Sequence, residues 1–151
     1  MKTVRTKAIG FLLFGALSLG GIPAGEAADY LGQLCWQATS AGGGGLIKAA
    51  ITHMGDGHYL LTGRASDPVG DVKPLVGSAE VSGNSVYMTI VYTGGDSSGT
   101  WSRIGRSVLD LATLNGSGEV MGVSHSYTNP KPDNASLNYD GPMTLTFIPC
   151  P

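Results

Sequence analysis

The sequence predicts an all-β fold: a single eight-stranded antiparallel up-and-down barrel, with a β-sandwich as the alternative. Three observations lead there. Glycine is abundant, with 19 of the 24 glycines lying after Ala27, and long Glu/Lys/Leu/Ala stretches are missing. Short alternating apolar segments recur along the chain, separated by Gly, Pro, Asn and Asp turn signals. The only two cysteines, Cys35 and Cys150, fall near opposite ends of the predicted strands.

The first 27 residues read differently from the rest. Lys2, Arg5 and Lys7 are followed by an apolar run from Ala8 to Leu19. Gly20, Gly21 and Pro23 break that run, and Gly25-Glu26-Ala27 offers small residues where a signal peptidase reads. This is the order of a secretory signal, with cleavage expected after Ala27. The run is too short for a membrane span, which takes about 20 apolar residues. Residues 28–151 then form one all-β domain, expected in the periplasm or the medium. Beyond Ala27 the chain carries 6 Lys/Arg and 10 Asp/Glu, a net charge of −4. Neither nucleic acid nor an anionic membrane is an expected partner of such a surface. In an oxidising compartment Cys35 and Cys150 pair most simply with each other.

Eight strands are expected: Gln33–Thr39, Leu46–His53, His58–Ser66, Leu75–Ser82, Ser85–Thr93, Arg106–Leu114, Gly118–Thr128 and Pro142–Pro149. In the fifth, Val86, Met88, Ile90 and Tyr92 share one face. Gly83-Asn84 suits a two-residue hairpin turn, which pairs Val81 with Val86 and Ala79 with Met88. Leu75, Ala79 and Val81 then point in while Ser78, Glu80 and Ser82 point out. At the chain's ends Trp36 and Phe147 share the inner face, and both cysteines share the outer one. Cys35 sits early in the first strand and Cys150 just past the last. In a meander those strands meet when the sheet closes, so the bridge would staple the barrel seam.

One hairpin has two readings. Asn115-Gly116 as a two-residue turn sends Val120, Gly122, Ser124 and Ser126 inward. A three-residue loop with a bulge sends Met121, Val123, His125 and Tyr127 inward instead. Burial sets register where one face is a core, so the second is expected.

Motifs for catalysis are missing. Gly122-Val123-Ser124-His125-Ser126 lacks the last glycine of a nucleophile elbow and lies within a strand. No H-E-x-x-H, phosphate-binding loop or dinucleotide fingerprint occurs. His53 and His58 flank a tight turn with Asp56 at its tip, but alternation puts the two imidazoles on opposite faces. No metal, cofactor or catalytic residue is therefore expected, and the chain is not expected to be an enzyme. Asp110 opposes Leu109 and Leu111 in parity and should point outward. Asn115-Gly116-Ser117 and Asn134-Ala135-Ser136 match the N-glycosylation pattern and are expected to stay unmodified.

A signal segment, an early Trp on the first strand, an eight-strand meander and a disulfide near the ends together resemble the lipocalin-like, or calycin-type, barrels. Leu34-Cys35-Trp36, Leu61-Thr62-Gly63, Asp110 to Leu114-Asn115-Gly116 and Ile148-Pro149-Cys150 also look like segments of a group of small exported bacterial proteins. Gly32 and Trp36 are four apart, against the family's G-x-W, and Pro142 to Pro149 holds no Arg or Lys to stack over that Trp. The resemblance implies a binding module for a small apolar or amphipathic ligand. Its expected lining is Trp36, Tyr59, Leu61, Met88, Ile90, Tyr92, Met121, His125, Tyr127 and Phe147. The same side chains can also pack solid, since eight strands enclose either a filled core or one small ligand. The alternative function is a structural or protein-interaction domain, a surface component or an inhibitor, working through the loops Gly94–Trp101 and Asn129–Gly141, with Trp101 as anchor.

Overall fold

A computed structural model describes residues 28–41, 43–68, 70–97, 99–126 and 135–151. Eight antiparallel strands run β1 (Asp29–Ser40), β2 (Gly43–Gly55), β3 (His58–Ser66), β4 (Val72–Ser82), β5 (Ser85–Asp96), β6 (Gly99–Asp110), β7 (Gly116–Ser126) and β8 (Ala135–Ile148). Each pairs with the next, and β8 returns to β1, from Cys35 opposite Ile148 to Ser40 opposite Met143. The sheet is a closed barrel, and no helix occurs among the described residues.

Turn chemistry sets much of the register. At Asp56-Gly57 both central residues have positive φ, 49° and 75°, which matches the twist of a two-residue hairpin. At Gly83-Asn84 only the glycine does, with φ 59°, and Val81 faces Val86 and Ala79 faces Met88 as the sequence predicts. Strand β3 has the predicted bounds. Inward residues build one core, with Trp36, Leu61, Ile90, Leu109 and Leu145 as its most deeply buried large side chains. Arg64, Glu80, Arg106 and Glu119 are exposed on the outside. Val76, Tyr87, Ile104 and Val108 are exposed on the same outer face, which therefore mixes charged and apolar side chains. Among the described residues no helix is long and apolar enough to cross a membrane.

The chain's ends close as expected. Cys35 and Cys150 form a disulfide with Cα atoms 5.1 Å apart. Trp36 is 2% exposed and meets Phe147 edge-on at 6.3 Å between ring centroids. Its indole N–H donates to the Leu114 carbonyl at 2.9 Å. Leu114 belongs to the β6–β7 connection, which the Asp110 carboxylate holds by accepting from the Thr113 N–H at 2.8 Å and the Thr113 hydroxyl at 2.9 Å. Asn115 Oδ1 accepts from the Phe147 N–H at 2.7 Å, tying the loop to β8. Together these contacts shut one end of the barrel.

Two expectations are corrected. The sixth strand begins at Gly99, so Gly94–Trp101 is no loop: β5 and β6 pair continuously out to Asp96 opposite Gly99, and Gly94 faces Trp101. The β6–β7 connection follows neither turn that the sequence suggested, since the ladder ends at Leu109 opposite Gly116 and leaves Asp110 to Asn115 as the link. Val120 is buried, while Met121 and Val123 are exposed on the outer face. The reason is steric. Gly116 and Gly118 turn inward, and a Cβ on either would collide with a β6 carbonyl, that of Val108 or of Arg106. The wall there closes on glycine, so apolar side chains were a poor guide to its inner face.

Candidate functional site

At the other end of the barrel lie the β1–β2, β3–β4 and β5–β6 turns, beside the last described residues of β7 and the first of β8. A cavity of about 250 Å³ enters there, with Ile47, Ile90, Val120 and Met143 on its walls. Its rim is polar and aromatic, built from Asp67, Lys73, Tyr92, Trp101, Arg103 and Asp140.

Strand alternation places Lys73, Tyr92, Trp101 and Arg103, a bulge places Asp140, and Asp67 follows the end of β3. Lys73 lies two residues before the buried Leu75, and Tyr92 two after the buried Ile90. Trp101 and Arg103 continue the inward parity of Gly105, Ser107 and Leu109 on β6. Asp140 is the extra residue of a bulge, because Val120 faces Gly141 whereas Met121 faces Tyr139. Bulges re-aim side chains in this way.

Trp101 is the hub. The Lys73 ammonium lies 5.3 Å and the Arg103 guanidinium 4.7 Å from its ring centroid. Tyr92 meets it edge-on at 5.9 Å. Such cation–aromatic contacts contribute about 0.5–1 kcal/mol each at partly exposed sites. The arrangement needs glycine at position 94, where a Cβ would overlap the Trp101 ring and come within 2.8 Å of the Lys73 chain. Lys73 is bound to Asp71 and lies 3.8 Å from Asp67. The Arg103 Nε donates to Asp140. Burial pushes the Tyr92 phenol above its usual pKa, against a lowering by Arg103 and with a further rise from Asp140. The phenol therefore stays protonated and remains a donor. Opposite Trp101 on β7, Ser124 bonds the Ser136 hydroxyl at 2.8 Å and accepts from the Asn138 amide at 2.8 Å.

Of the residues predicted to line a pocket, Ile90 and Tyr92 do so. Met88 and Leu61 are buried in the solid core instead. Tyr59 packs on that core's edge beside His53, their rings 5.2 Å apart. Trp36 and Phe147 seal the closed end, away from the cavity. Met121 and His125 are not brought to it: with Val120 inward, alternation turns both outward, Met121 into an exposed row with Ile104 and Tyr139. Tyr127 lies outside the described residues, as does the start of the expected loop Asn129–Gly141, whose second half belongs to β8. Among the described residues no group of three or more His, Cys, Asp or Glu is arranged to hold a metal.

Sequence reasoning missed Lys73, Arg103 and Asp140, and it placed Trp101 on a loop. Extending the Leu75 and Ile90 parity by one step would have found Lys73 and Gly94. No family model, no curated protein and no solved structure matches the chain. What the chain itself shows is a closed eight-stranded barrel, disulfide-linked at one end and open to a small cavity at the other.

Proposed function

We propose that the protein is an exported, non-enzymatic binding barrel of lipocalin-like type that takes a small amphipathic molecule through its open end. One observation carries the reading: a cavity of about 250 Å³ whose walls are apolar and whose mouth is charged and aromatic. Ligand sites combine apolar walls with a few placed polar groups in this way. The volume lies just under the roughly 300–1,000 Å³ usual for such sites, which favours a compact ligand over a long lipid. Export is supported by the basic-apolar-small order of the first 27 residues and agrees with the disulfide, since such bridges persist in oxidising compartments.

Native mass spectrometry of the protein isolated from its own cell tests the proposal. The expected result is a bound mass that denaturation releases, together with quenching of Trp101 fluorescence when lipophiles are added to the stripped protein. A clean apo mass with no quenching across the panel would contradict it and favour a role in protein contacts.

A further inference from the structure

The outside of one wall carries an apolar row that crosses five strands. Val76 faces Val91, Val91 faces Ile104, Ile104 faces Met121, and Met121 faces Tyr139. Val91 is half-buried and the other four are exposed. Val123 and Leu137, paired with each other on β7 and β8, are exposed beside the row and widen it. Alternation normally sends polar side chains outward, and contiguous apolar patches on a protein surface mark contact sites.

On the other side of the row Arg106 faces Glu119, both exposed. Among the described residues neither forms an ion pair, with the other or with any third group. The patch therefore presents one cation and one carboxylate side by side, next to the apolar pair Ile104 and Met121.

We infer that this wall is the contact between two copies of the chain, related by a two-fold axis that runs along the strands between β6 and β7. Such an axis sets each β6 residue over its β7 neighbour in the second copy. Ile104 then meets Met121, Ser102 meets Val123, and Arg106 meets Glu119, each pair formed twice. The surface is complementary to itself in charge as well as in its apolar row. An anionic lipid surface is a poorer cover, because the chain beyond Ala27 carries a net charge of −4. Five strands span about 19 Å and three outward rows about 14 Å, and barrel curvature limits contact beyond them. That footprint is small against the roughly 800 Å² per partner of a stable interface, so the dimer is a weak one, with a dissociation constant on the order of 100 µM.

Sedimentation equilibrium of the purified disulfide-bonded protein, from about 10 µM to about 1 mM in about 0.15 M salt, tests the assignment. The mass is expected to rise from monomer towards dimer across that range. Ile104→Ser, at an exposed position, is expected to weaken association at least ~10-fold while leaving the urea midpoint in place. Arg106→Glu and Glu119→Arg are each expected to stay monomeric, since like charges then face each other across the axis. Mixed in equal amounts, these two variants are expected to associate again, because each supplies the charge that the other lacks. Pairing of Arg106 with Glu119 within one chain predicts no such recovery. A monomer mass at every concentration overturns the proposal. So does a dimer that Ile104→Ser leaves unchanged, or a pair of charge variants that does not recover on mixing.

Discussion

The two ends of the barrel each carry one tryptophan and use it in opposite ways. Trp36 is 2% exposed, bonded to a backbone carbonyl and covered by a loop that is itself pinned to β8. Trp101 is half-buried, touches two cations and borders a cavity. At the first end the Trp36 indole, the Asp110 carboxylate and the Asn115 amide oxygen hold the β6–β7 connection against the sheet. At the second the polar groups pair with one another at the mouth of the cavity. The difference teaches that stability and recognition are segregated along the barrel axis, with the solid core between them.

Breaking the closed end should give the largest effects. Cys35→Ser with Cys150→Ser opens a covalent loop of sequence separation 115. Chain-entropy reasoning expects a loss of about 4–5 kcal/mol, read as a lower urea midpoint. Trp36→Ala should cost about 3–5 kcal/mol by cavity formation and a stranded carbonyl. Trp101→Ala should cost about 1 kcal/mol, the scale of its cation contacts, while removing the fluorescence response to ligand. Equal losses for the two tryptophans would erase the contrast between the ends.

Gly94→Ala sharpens it from the open side. The added Cβ overlaps the Trp101 ring, so the ring must move and the rim with it. Overpacking of this kind costs about 1–3 kcal/mol, and Trp101 emission should shift while the Trp36 signal stays.

The smallest effect concerns Asp110. The Thr113 amide and hydroxyl hold its carboxyl below the ordinary value of 3.8. A depressed native pKa contributes stability above the ordinary value, and that contribution is lost as pH falls through the native one. Asp110→Asn should therefore lower the urea midpoint slightly at neutral pH, with the gap to the parent protein narrowing below about pH 4. A gap that stays constant with pH would disconnect Asp110 from the closed-end loop.

Much of the architecture could be read from alternation and turn chemistry. The Gly83-Asn84 turn set the β4–β5 register, and the shared parity of Cys35 and Cys150 pointed to closure. The parts that were not legible share a cause. Glycine carries no sign of which way it faces, so the inner wall of Gly116, Gly118 and Gly122 left Met121 and Val123 as misleading guides. Gly94 and Gly95 similarly read as loop, which hid the paired start of β6 and with it Trp101 and Arg103. Asp140 reaches the mouth through a bulge between β7 and β8, a feature of pairing that no single strand's pattern contains.

The most direct test of the division between the ends is an NMR titration that follows the two indole N–H resonances. A small amphipathic ligand should move the Trp101 resonance progressively and leave that of Trp36 in place, because Trp36 is bonded to Leu114 behind the core. Movement of Trp36 alone, or of neither, would contradict a ligand-binding mouth set opposite a closed base.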